Sequence, residues 1–129
     1  MATWEGLRQY IHSRYRVLEE TPGALRMEFV LANGRTQNVV VSGNRVGSYE
    51  YMTIFTPVCH ESQIAARDAL LRNGGMPVGA LGLAPDGTII LRHSAPLKDL
   101  DTDEFDIPLQ AITQAGDMLE QELAVVDRY

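Results

Sequence analysis

Along residues 3–20, Trp4, Leu7, Ile11, Tyr15 and Leu18 recur at spacings of three and four, which predicts an amphipathic helix with one apolar face. Thr3 is suited to the N-cap, Glu5 to the positive end of the helix dipole, and Thr21-Pro22-Gly23 to the stop. The period then changes to two. Met27, Phe29 and Leu31 alternate with Arg26, Glu28 and Val30, and Val39 and Val41 alternate with Asn38, Val40 and Ser42. This predicts a hairpin over residues 24–42 around Asn33-Gly34. A two-residue loop would set Phe29 opposite Asn38. A three-residue loop, Ala32-Asn33-Gly34, sets Met27 opposite Val39 and Leu25 opposite Val41, and so keeps the apolar side chains on one face. Gly34 then takes the left-handed position of a bulge.

Residues 43–48 read as a loop, and YEYMTIFTPV at 49–58 reads as a third strand, rich in aromatic and β-branched residues. Both its faces are apolar, which suggests cover on both sides, by a helix and by a second subunit. Residues 60–73 predict a helix stopped by Asn73-Gly74-Gly75. The stretch GALGLAPDGTIILR at 79–92 predicts a second hairpin. The same register argument selects the loop Pro85-Asp86-Gly87, with Leu83 opposite Ile89 and Leu81 opposite Leu91. In the last helix, 103–126, the stripe is Leu109, Ile112, Gly116, Leu119, Leu123 and Val126. Pro108 would interrupt it, so the expectation is a short turn at 102–106 and a main helix beginning near Ile107. The order is helix, three strands, helix, two strands, helix: an α+β domain over 1–129 with helices on a mainly antiparallel five-stranded sheet.

Charge narrows the partners. Seventeen acidic against eleven basic residues give a net charge of −6, which argues against nucleic acid and against an anionic membrane surface. The N-terminus lacks the pattern of a secretory signal, and no apolar stretch reaches spanning length. With Cys59 as the single cysteine, no internal disulfide forms; a reducing, cytoplasmic setting is expected.

Known chemical signatures are missing. His12, His60 and His93 fall on separate elements without metal-ligand spacing. Cys59 and His60 are adjacent in an extended run, where side chains point apart, so a buried inert thiol is the better reading. Asp99, Asp101 and Asp103 have the spacing of a calcium loop, but Glu104 and Gln110 stand where that loop needs glycine and glutamate. These acids instead suit the start of the following helix. No phosphate-binding glycine motif and no nucleophile elbow occur. No metal and no cofactor are expected.

The layout resembles the type III secretion chaperone-like superfamily, which includes effector chaperones of the Tir-chaperone kind and YbjN-like proteins described as sensory transduction regulators. By residues the resemblance concentrates between Leu70 and Leu100. It takes in the helix end at Asn73, the strand Val78 to Leu83, Asp86-Gly87, the run Ile89-Ile90-Leu91-Arg92, then Leu97 and Leu100. The chain departs from the secretion-chaperone pattern in carrying Pro108 at the head of its last helix. The resemblance implies a small acidic homodimer without cofactor that holds an extended segment of a client protein against apolar patches.

Two function classes follow. The first is a non-enzymatic, chaperone-like or regulatory binding module. Its candidate peptide-binding face is Phe29, Val39, Val41, Tyr51 and Phe55, against the more ordinary reading that these residues form the core under the helices. Its candidate dimer contact is the stripe Ile64, Ala65, Ala69 and Leu71. The second is a small-ligand binder or enzyme with an interior pocket, in which His93 would converge with Arg92 or Asp86.

Overall fold

The computed structural model describes residues 1–126. Its elements are α1 (Trp4–Arg14), β1 (Val17–Thr21), β2 (Ala24–Val30), β3 (Thr36–Val46), β4 (Tyr49–His60), a 3₁₀ turn (Glu61–Gln63), α2 (Ala66–Gly75), β5 (Ala80–Leu83), β6 (Thr88–Pro96) and α3 (Thr102–Val126). The class is α+β, as expected, but the sheet has six strands in the order β1-β2-β3-β4-β6-β5, and every neighbouring pair is antiparallel.

The extra strand comes from the segment expected to finish the first helix. Thr3 caps α1 as foreseen, its hydroxyl accepting from Gly6 N–H at 3.1 Å. The helix ends at Arg14, however, and Val17–Thr21 turns back at Pro22-Gly23 to pair with β2, Thr21 opposite Ala24. Tyr15 and Leu18 fit a helical stripe by spacing alone. The strand wins because β2 would otherwise be a bare edge, and pairing satisfies its backbone groups. The expected loop at 43–48 is also mostly strand: β3 runs to Val46, and a two-residue turn, Gly47-Ser48, joins it to Tyr49.

Both expected hairpin registers are observed. Met27 faces Val39 and Leu25 faces Val41; Leu31 N–H donates to Arg35 C=O across Ala32-Asn33-Gly34. Leu83 faces Ile89 and Leu81 faces Leu91, with Ala84 N–H donating to Thr88 C=O across Pro85-Asp86-Gly87. Gly34 and Gly87 have φ of +83° and +90°, the left-handed region the loops require.

The last helix corrects the expectation of a break. It is continuous from Thr102, with Pro108 inside it. Asp101 and Glu104 form a reciprocal cap: Glu104 N–H donates to Asp101 Oδ1 at 2.8 Å and Asp101 N–H to Glu104 Oε1 at 3.2 Å. That cap and the burial of Phe105, Leu109 and Ile112 around the proline hold the first turns despite the missing bond. The stripe Leu109, Ile112, Gly116, Leu119, Leu123 faces the sheet; the side chain of Val126 lies outside those described.

All three helices lie on one face of the sheet. Leu7 and Ile11 of α1 and the α3 stripe enclose Leu25, Met27, Val39, Val41, Met52, Ile54 and Leu91, all buried. The opposite face carries no helix among the described residues. It presents Val40 opposite Phe55, Phe55 opposite Arg92, and a chain of hydroxyls and amides through Asn44, Thr53 and Ser94.

Candidate functional site: the surface around α2

The helix α2 is the least embedded element. It begins without a side-chain cap at Ala65 and has no fully buried residue. The turn before it is organised by His60: its ring Nδ1 accepts from Ser62 N–H, and its backbone N–H donates to Gln63 Oε1. The helix is fastened at two points. Arg72 pairs with Glu122 of α3 at 2.7 Å. Asn73 reaches the edge strand β5, its Oδ1 accepting from Leu81 N–H at 2.6 Å and its Nδ2 donating to Leu81 C=O at 3.4 Å.

Open clefts flank this helix on two sides. Toward α3, a cleft of about 700 Å³ is lined by Ile64, Ala65, Asp68, Leu71, Arg72 and Leu123 with neighbouring polar groups. Toward β5, a groove of about 400 Å³ is walled mainly by Ile64, Ala69, Leu70, Leu81, Leu83 and Ile89, with Glu61 at one end. Leu70, Leu71 and Leu83 are exposed by 71%, 60% and 62%, apolar surface that a lone folded chain gains nothing by leaving in water.

The dimer-contact candidates therefore divide between the two clefts. Ile64, Ala65 and Leu71 line the first, and Ala69, with Ile64 again, lines the second. The peptide-binding candidates do not form one face, which corrects the sequence expectation. Val39 and Val41 are fully buried beneath the helices, and Phe29 packs beside them against Tyr15. Tyr51 and Phe55 are half-buried on the helix-free face. The register explains the split: Val41 faces Ile54 and Gly43 faces Met52, so the odd positions of β3 share a face with the even positions of β4.

The residues proposed for an interior pocket do not converge. His93, opposite Ile54, lies on the helix-covered face, and burial lowers its imidazole pKa. Arg92 lies on the other face, and Asp86 is committed to the hairpin tip, where Thr88 N–H donates to it at 2.9 Å and holds its carboxyl below the usual range. Burial, with the nearby Glu120 carboxylate, pushes the Cys59 thiol up, away from a nucleophilic thiolate. Among the described residues no three metal-ligating side chains gather, and no helix is long and apolar enough to cross a membrane.

Sequence reasoning missed Asn73 as a partner of β5, Leu83 as exposed surface and Glu61 as the groove's charged end. Asn73 was legible only as a helix stop, because its amide bond depends on where β5 lies.

No family model and no curated protein matches the sequence. Among solved structures, the chain is similar to a chain of the HopA1-SchA chaperone–effector complex, at a TM-score of 0.64 and 13% identity, covering 88% of each chain. At that identity the likeness shows a shared fold alone.

Proposed function

We propose that this protein is a non-enzymatic, chaperone-like binding module, homodimeric through α2, that holds an extended segment of another protein. The observation that carries the reading is the apolar groove between α2 and β5, bordered by a strand edge. An edge strand supplies main-chain donors and acceptors to an extended peptide, and the groove receives alternate side chains. The fold shared with a chain of a chaperone–effector complex supports the same class. The other cleft, with Ile64, Ala65 and Leu71 beside Asp68 and Arg72, suits the dimer contact: antiparallel pairing of two α2 helices would set Asp68 of one copy near Arg72 of the other.

The test is selection from a displayed random-peptide library, with sedimentation equilibrium on the same samples. The expected result is enrichment of extended apolar segments whose binding is lost in Leu70→Asp and Leu83→Asp, and a dimer that dissociates in Leu71→Asp. Both sites are exposed, so folding should survive these changes. Enrichment that ignores all three substitutions, or a monomer without peptide binding, overturns the reading.

A further inference from the structure

The two edges of the sheet are protected differently. β1 carries Glu19 and Glu20, engaged by Arg26 and by Arg8 with His12, and charged side chains are a common way to discourage an edge from pairing. β5 reads Ala-Leu-Gly-Leu and has no charge of its own. Its hydrogen-bond parity follows from the turn. Ala84 N–H donates to Thr88 C=O, so Gly82 and Ala80 bond to β6, while Leu81 and Leu83 direct their N–H and C=O groups outward.

At Leu81 both outward groups meet Asn73, whose primary amide offers the donor and acceptor that a peptide unit of a neighbouring strand would offer. One of the two bonds is long, 3.4 Å against the usual 2.9–3.0 Å, so a true strand would satisfy Leu81 better. Two residues on, Leu83 presents the same outward pair at the border of the groove.

We infer that Asn73 is a removable strand mimic: it closes the β5 edge in the free protein, and a segment entering the α2–β5 groove displaces its amide to pair with Leu81 and Leu83. This rests on the segment-binding reading above. The occupant is an extended stretch of another protein with alternating apolar side chains and a basic residue at the Glu61 end. Glu61 is the one charged side chain lining the groove among the described residues, and the whole chain carries −6.

The experiment uses a synthetic peptide alternating leucine and threonine, with two lysines at one end, titrated by fluorescence anisotropy. Asn73→Leu keeps the branched outline of the side chain, though it is bulkier, and removes both bonds; Asn73→Ala is a second opening variant should the first pack badly. Each should bind the peptide about tenfold more tightly than the parent, the worth of two ordinary hydrogen bonds no longer competed for. Adding Leu83→Pro, which removes an outward N–H without touching the bonds to β6, should abolish the gain. If the parent binds and loses binding in Leu70→Asp, but the Asn73 variants bind no better, Asn73 is only a tether; the inference falls and the segment-binding reading stands. If neither parent nor variants bind the peptide while all remain folded by circular dichroism, both fall.

Discussion

Gly116 of α3 lies directly on Thr56 of β4. A Cβ built on Gly116 would stand 2.5 Å from Thr56 Cγ2 and 3.1 Å from Gln37 Nε2. Thr56 is itself fixed, donating to Asn38 C=O and accepting from Gln37 Nε2. Two effects oppose each other in Gly116→Ala. Helix propensity favours alanine by about 1 kcal/mol. Forcing a methyl into a packed contact costs about 1–3 kcal/mol. The neighbours are held by buried hydrogen bonds, so the clash should win. We expect a net loss of stability in urea titration, larger still for Gly116→Val; a gain would mean that α3 shifts freely on the sheet.

The two three-residue loops offer a controlled comparison. Gly34 has φ +83° with no atom within 4 Å of an added Cβ, so Gly34→Ala meets only the left-handed backbone cost of about 1–2 kcal/mol. Gly87 has φ +90°, and its Cβ would stand 2.7 Å from His60 Nε2. Because His60 caps the turn at Glu61–Gln63, moving the ring adds a cap loss of about 0.5–2 kcal/mol. Gly87→Ala should therefore be the more destabilising in thermal melts. In the background His60→Ala the difference between the two loops should shrink, since the cap is already gone.

One carboxylate ties α1 to α3. Asp106 accepts from Tyr15 OH at 2.6 Å and from Tyr10 OH at 2.5 Å, and both rings stack edge-on against Phe105. Burial, then the bond to Asp106, raises the Tyr15 pKa to about 12. The folded value lies above the unfolded one, near 10, so the neutral phenol is the stabilising form. Its contribution is complete below about pH 10 and disappears as pH rises toward 12. Spectrophotometric titration of phenolate should show a late transition that is absent in Tyr15→Phe and moves to lower pH in Asp106→Asn. A Tyr15 titrating near 10 in the folded protein would contradict this geometry.

The hairpin registers were readable because they depend on local quantities: the parity of Met27 against Val39 and of Leu81 against Leu91, and a glycine at the left-handed position. Where the answer depends on a distant partner, the sequence is silent. Val17–Thr21 is a strand because β2 lies beside it, whereas Tyr15 and Leu18 alone continue a helical spacing. The error over the candidate face has the same origin. Whether Tyr51 shares a face with Val41 depends on the turn at Gly47-Ser48, and a loop at 43–48 leaves that parity undefined. Asn73 is the extreme case, because its functional reading needs the outward N–H of Leu81 to be known first.

Asp117 and Glu120, neighbours on α3, should act on stability with opposite sign. Asp117 is 4% exposed and accepts from Arg35 Nε at 2.7 Å, Asn33 Nδ2 at 3.0 Å and Gln121 Nε2 at 2.7 Å. The Arg35 guanidinium foremost holds its carboxyl below the usual range, so its stabilisation is present above about pH 4 and lost as pH falls through the folded value. Burial pushes the Glu120 carboxyl up, against the bond from Gln37 and the charge of Arg35. A raised carboxyl pKa means that ionisation works against the fold: its contribution is full below about pH 4.5 and lost as pH rises through the folded value. Asp117→Asn should cost about 1.5–3 kcal/mol at pH 7, the range for hydrogen bonds to a charged group, and should flatten the acid limb of the stability curve. Glu120→Gln retains an oxygen for Gln37 Nε2 and removes a half-buried charge, so it should raise the melting temperature at pH 7 and leave it unchanged near pH 4. Melting curves from pH 2.5 to 8 separate the two. A Glu120→Gln protein less stable than the parent at pH 7 would show that the Arg35 contact outweighs burial.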